Sequence, residues 1–228
     1  LAGGLRREKV QIKVDDFTIM PARACPSASV SMIQIGVFCH EFGHAFGLPD
    51  LYDTSTGGSS CLADFSSGVG EWDLMASGSW GYDGLEPERP THMSAWSKAF
   101  VGWLTPGVVA FDLPNWPVQS STLPPPAFKL WTGGDPTTEY FLVEYRSAHG
   151  FDSNVFTPGI LIWHVDEDGL DNANECHKLL DLECEDQSGT DHTLDADDLD
   201  SGPPSNRGDA GDPFCDGDTF SGTTNPSS

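Results

Sequence analysis

Two histidines four residues apart constrain this chain more than any other feature in it. His40-Glu41-Phe42-Gly43-His44 can present both imidazoles on one side only from a helix, where positions i and i+4 lie about one turn apart. The flanking residues agree with that geometry. Met32, Ile33, Val37, Phe38, Ala45 and Phe46 recur at helical spacing, Ser29 or Ser31 offers a cap, and Gly47 with Pro49 ends the run. The spacing therefore predicts a helix over 30–46. Two imidazoles so placed reach a single ion, with Zn–N distances of about 2.0 to 2.1 Å. Glu41, one residue past the first ligand, is held close to the metal without binding it, where it can take a proton from a water on the metal. Gly47 lets the chain turn sharply, so that Asp50, six residues beyond His44, swings back as the third ligand, with Asp53 as its rival.

The rest of the chain divides into recognisable runs. QIKVDDFTI at 11–19 alternates in part and predicts a strand, followed by a Pro-containing loop at 21–26. Gly and Ser dominate 54–71, which reads as a loop, and THMSAWSKAFVGWL at 91–104 predicts a second helix capped by Thr91. Short β-rich runs at 107–112, 127–132, 139–145 and 159–165 are separated by Pro, Gly and Asp clusters, the punctuation of sheet segments. The order predicts an α+β domain: an active-site helix, a second helix and a C-terminal β-rich part. Between them, Trp72 to Trp80 mixes large apolar with small residues, as a tight turn beneath a site would.

Charge narrows the function classes. With 11 Lys and Arg against 35 Asp and Glu the chain carries −24, which repels phosphate backbones and anionic membrane surfaces, so nucleic-acid binding is disfavoured. No apolar run approaches the roughly 18 to 20 residues that span a bilayer. From 166 to 218 there are 18 carboxylates against Lys178 and Arg207 only, a loop-rich segment that buries too little surface to order itself without a cation or a disulfide. Six cysteines form no CxxC pair, which disfavours a zinc ribbon or a redox centre and favours disulfides in an oxidising compartment. Cys176 and Cys184 are near enough in sequence to close on each other, whereas Cys39 lies inside the active-site helix as a buried thiol. No GxSxG elbow or P-loop is present.

Several segments resemble the immune inhibitor A family of secreted zinc metallopeptidases, whose site motif is similar to HExxHxxGxxD. They are DDFTIMP at 15–21, HEFGHAFGLPDLYD at 40–53, GEWDLMASGSWG at 70–81, SAWSKAFVGWL at 94–104, EYFLVEYRS at 139–147, GILIWHVDE at 159–167 and NRGDAGDPF at 206–214. The resemblance implies a metzincin-like zincin catalytic domain over 1–228 in which Met75 is the Met-turn residue beneath the metal. Cys39 departs from the family in replacing a small apolar residue, and CLADFS at 61–66 resembles an insertion. The family's upstream sheet and propeptide are missing, so the sequence reads as an N-terminally truncated part of a longer secreted precursor. The expected activity is zinc-dependent hydrolysis of peptide bonds in extracellular proteins, with Glu41 as general base and acid. His164, Tyr52 and Tyr82 are candidates to assist at the site, His164 alternatively binding a metal with Asp166. The alternative is a catalytically inactive, metal-stabilised binding module, against which the intact Glu41 argues. Asp195, Asp197, Asp198 and Asp200, with Asn206, Asp209 and Asp212, supply hard oxygen donors of the kind calcium takes, and the resemblance of NRGDAGDPF favours that ion.

Overall fold

The computed structural model describes residues 18–20, 32–54, 66–82, 88–109, 126–131, 136–173, 177–184 and 207–218. Helix α1 spans Ile35–Ala45, shorter at its start than the periodicity predicts, because Gln34 is still extended at φ −83°, ψ 167° and caps nothing. Ser29 and Ser31, the expected caps, lie outside the described residues. The C-terminus follows expectation: the N–H groups of Phe46 and Gly47 bond to the carbonyls of Gly43 and His44, and Gly47 adopts φ +91°. A left-handed residue just past the last turn is the usual way a helix closes its unpaired carbonyls.

Helix α2, Ala95–Phe100, also starts later than predicted. The His92 N–H donates to Asp152 Oδ1 at 2.9 Å and the Ser94 N–H to Asp73 Oδ2 at 2.7 Å, so distant carboxylates hold this approach extended. Ser94, not Thr91, is the cap, its Oγ accepting from the Ser97 N–H at 3.1 Å.

Five strands form one mixed sheet in chain order: β1 Gly107–Val108, β2 Ala127–Trp131, β3 Glu139–Arg146, β4 Gly159–Asp166 and β5 Leu180–Glu183. The β1–β2 pair is parallel and the others are antiparallel. Alternation sets the two faces. Tyr140, Leu142, Leu161, Trp163, Val165, Leu180 and Leu182 enter the main core, while Phe141 and Ile162 pack with Phe214 on the other side. The α+β class is as expected, and three of the five predicted strands coincide with β2, β3 and β4. A fourth, predicted over 107–112, keeps only β1, since 110–112 lie outside the described residues; of the strand predicted over 11–19, residues 11–17 lie outside them too and 18–19 pair with no strand. Strand β5 was hidden in the acidic run, where Leu180 and Leu182 alternate with carboxylates and the buried Asn172 side chain bonds both the N–H and the C=O of Leu180. Among the described residues no helix is long and apolar enough to cross a membrane.

Two 3-10 turns, Gly70–Trp72 and Ser77–Trp80, bracket Met75. Of the Gly- and Ser-rich stretch predicted as a loop over 54–71, residues 55–65 lie outside the described residues; 66–69 are irregular as expected, and 66–76 are buried throughout. Gly68 explains how the backbone gets there: at φ +56° it passes so close to the 51–52 strand of chain that a Cβ would stand 2.0 Å from the Leu51 carbonyl oxygen. Gly68→Ala is therefore expected to destabilise the protein by about 2 kcal/mol or more, combining left-handed strain with a backbone clash. Urea unfolding at neutral pH checks this, and an unchanged midpoint would contradict it.

The core face of the sheet also buries a charged network. Glu144 accepts from Arg146 Nη2, Trp163 Nε1 and the Ala95 N–H, each at 3.0 Å, and from Lys98 Nζ at 3.1 Å. Arg146 continues to Asp152 at 3.4 Å, whose Oδ1 accepts from the Tyr82 hydroxyl at 3.2 Å. This ties α2, the 3-10 turns and β3 into one body.

Candidate metal centre

Helix α1 brings His40 and His44 together with ring centroids 4.9 Å apart and planes at 90°. Each ring is fixed through its Nδ1, which faces a backbone carbonyl: Leu74 O at 2.9 Å for His40 and Leu48 O at 2.8 Å for His44. A carbonyl only accepts, so both Nδ1 atoms carry the proton and both Nε2 atoms present lone pairs. Those lone pairs meet Asp50, whose Oδ1 is 3.1 Å from His40 Nε2 and 3.4 Å from His44 Nε2. The chain reaches that position as the sequence predicts, through the turn at Gly47.

Three atoms that each offer a lone pair repel one another unless a cation lies between them. A proton relieves only two of the three. Burial disfavours the His40 imidazolium, yet the hydrogen bond to Asp50 and the Leu74 carbonyl outweigh it and raise its pKa; burial raises the Asp50 carboxyl, and His40 with His44 outweighs that in turn and lowers it. A tetrahedral ion with bonds of about 2.0 to 2.1 Å separates its donors by about 3.3 Å, close to both observed spacings. His40, His44 and Asp50 thus fit a zinc-like ion in donor type, protonation and spacing, and they form the only such cluster of three among the described residues.

Met75 lies against α1 at Gly43. It is fully buried, and a Cβ built on Gly43 would stand 2.4 Å from its Sδ, so the thioether fills the space left by the missing side chain on the inner face of α1. The same turn supplies Leu74 O to His40, and Met75 O accepts the Leu51 N–H at 2.9 Å. One turn thereby fixes the first imidazole and the backbone beside Asp50.

A cleft of about 290 Å³ opens beside the cluster, lined by His40, Glu41, Tyr52, Ser77, Trp80 and Arg207 among others. Glu41 faces this space and is no member of the donor cluster. The Tyr52 ring is 6.4 Å from that of His40, and burial with the neighbouring Asp50 pushes its phenol up to about 12, so it remains a donor at any working pH. The other auxiliary candidates are placed elsewhere. Tyr82 is buried in the Asp152–Arg146 network. His164 lies on the sheet face opposite the main core, stacked on Phe141, with Nε2 3.0 Å from Glu139 and Nδ1 3.8 Å from Glu183; Asp166 pairs with His177 at 3.0 Å instead. Asp53 is buried and outside the cluster.

Of the residues considered for calcium, Asp195, Asp197, Asp198, Asp200 and Asn206 lie outside the described residues. Asp212 Oδ2 accepts from Trp72 Nε1 at 2.6 Å and from the Asp209 N–H at 2.8 Å, and Asp209 Oδ1 from the Gly211 N–H at 2.7 Å, so this end of the segment folds on protein donors. It gives calcium no support. No disulfide forms among the described residues: Cys39 is a half-buried free thiol whose pKa burial raises, Cys215 is exposed, and Cys184 is buried just past the end of β5. Cys176, its expected partner, is outside the described residues.

Arg207 is the cleft residue that sequence reasoning missed. In the sequence it is one cation in an acidic run; only folding brings it to the cleft that His40 and Glu41 line.

Residues 4–107 match the family described as immune inhibitor A peptidase M6, catalytic domain. The chain is also 36% identical over 91 residues to the pre-pro-metalloprotease PrtV of Vibrio cholerae serotype O1, strain M66-2, with the same figures for strain ATCC 39315 / El Tor Inaba N16961. These matches span 40% of the chain and 8% of the relatives' length. His40, Glu41, His44, Asp50 and Met75 all fall within the family match; β2 to β5 and Arg207 fall outside it.

Proposed function

We propose, from the match of residues 4–107 to the family described as immune inhibitor A peptidase M6, catalytic domain, that this chain is the metzincin-like catalytic domain of a secreted zinc endopeptidase acting on extracellular proteins. The observation that carries the proposal is the convergence of three lone-pair donors, His40 Nε2, His44 Nε2 and Asp50 Oδ1. Zinc held there supplies Lewis acidity, drawing electron density from the scissile carbonyl and lowering the pKa of a water to about 7.

The chain's own residues do the rest. Glu41 accepts the proton of the attacking water as its oxygen bonds to the carbonyl carbon, then hands that proton to the amine as the C–N bond breaks. The carbonyls of Leu74 and Leu48 hold both imidazoles in the tautomer that keeps Nε2 free for the metal. Tyr52, at the cleft wall, donates to the oxygen that gains charge. The relatives' name records a pre-pro form, which supports a precursor with a propeptide and further domains around this one.

Metal analysis and casein cleavage test the reading together. One zinc per chain is expected, with turnover lost to a chelator and restored by zinc. Asp50→Ala should lose the metal, while Asp53→Ala should keep it. Zinc retained by Asp50→Ala and lost from Asp53→Ala would overturn the ligand assignment, and full metal uptake without turnover would favour a binding module.

A further inference from the structure

The mechanism leaves one charged side chain of the cleft unused. Arg207 lines the same cavity as Glu41 and Trp80, and its backbone is firmly placed. The Glu71 N–H donates to its carbonyl at 2.6 Å. The next residue, Gly208, sits at φ +122° against the Trp72 indole, where a Cβ would be 2.8 Å from Nε1. Asp212 closes the loop by accepting from that same Nε1 at 2.6 Å. Buried anchors therefore hold the main chain at and just beyond Arg207, while the residue itself is exposed. Among the described residues its guanidinium joins no ion pair.

The charge balance gives this position its meaning. A chain with 35 acidic and 11 basic residues repels anionic substrates almost everywhere. Glu41, on the cleft wall, adds to that repulsion at the site itself. Arg207 is the one permanent cation among the described residues lining the cleft. A guanidinium presents a planar fork of donors matched to a carboxylate, and in a site partly shielded from water such a pair both attracts and orients. Trp80, 44% exposed in the same cavity, offers an apolar wall to the stem of a side chain.

We infer that Arg207 is a specificity-determining residue that binds a substrate carboxylate next to the scissile bond, either an Asp or Glu side chain or the α-carboxylate of a peptide end. The inference rests on the peptidase reading of this cleft and names the substrate class it takes.

The test uses fluorogenic peptides with Glu, Gln or Lys on each side of the cleaved bond, each with a free or an amidated C-terminus. For the zinc-loaded wild type, kcat/KM should favour the carboxylate over its neutral counterpart by about 10- to 100-fold, expressed mainly in KM. Arg207→Ala should bring that ratio to about one, and Arg207→Glu should turn the preference towards Lys. Whether the effect follows the side chain or the free C-terminus tells the two sources apart. An equal carboxylate ratio in wild type and Arg207→Ala would overturn the inference. Fluorescence polarisation of labelled peptides on zinc-loaded Glu41→Gln separates the two readings. The same ranking in binding, with no peptide cleaved by the wild type, would sink the peptidase reading and sustain the carboxylate site; cleavage with no ranking would do the reverse.

Discussion

Glu41→Gln is expected to keep its fold and its zinc while kcat falls by about a thousandfold, within the range that a positioned acid–base group contributes. The amide has the size of the carboxylate and cannot accept a proton, so the variant separates chemistry from shape. Glu41 stands outside the cluster of His40, His44 and Asp50, so replacing it leaves the donors intact. The loss should appear in kcat and kcat/KM together, as for an interaction made only in the transition state. Steady-state hydrolysis alongside zinc analysis checks the result. A variant with more than about a tenth of wild-type turnover would refute the general-base role.

The second large effect is expected far from the chemistry, at Glu144. Its carboxylate is 1% exposed and serves Arg146, Lys98, the Trp163 indole and the N-terminus of α2. Glu144→Ala takes from Arg146, itself 3% exposed, the nearer of its two buried carboxylates and leaves it Asp152 at 3.4 Å, and removing one partner of a buried pair typically costs about 3 to 5 kcal/mol. The same group predicts an acid limit. Burial pushes the Glu144 carboxyl up, but Lys98 and Arg146 outweigh it and hold it at about 2. A carboxyl with a lowered folded pKa contributes stability above its unfolded value, and that contribution fades as pH falls from about 4.5 towards 2. Denaturant unfolding of wild type and Glu144→Ala between pH 7 and 3 should show a gap that narrows on acidification. A gap independent of pH would show that the carboxylate's charge plays no part.

Local signals were legible wherever one segment determined its own conformation. Strands β3 and β4 were visible because Tyr140, Leu142, Leu161, Trp163 and Val165 alternate in and out of a single core face. The end of α1 was visible because Gly47 is the residue that can take φ +91° after the last turn. Prediction failed where partners distant in sequence set the backbone. Thr91 looked like a cap, yet Asp73 and Asp152 hold residues 92 and 94 extended. Strand β5 looked like acidic loop, because two leucines are too few to reveal alternation until β4 lies beside them.

The sequence by itself determined the donor set of the candidate centre. An i, i+4 histidine pair on a helix, a glutamate between them and a glycine turn leading to Asp50 are all relations within 11 residues, set by helical pitch and one left-handed backbone position. Only the tertiary structure decided how the imidazoles are held and what else faces the cleft. Leu74 O reaches His40, Met75 fills the hollow at Gly43, and Trp72 with Glu71 anchors the loop that brings Arg207 to the cleft Glu41 lines. Those contacts join positions from 32 to 140 residues apart. No local pattern encodes them, because they exist only once the sheet and its buried Glu144–Arg146 pair have brought the segments into one core.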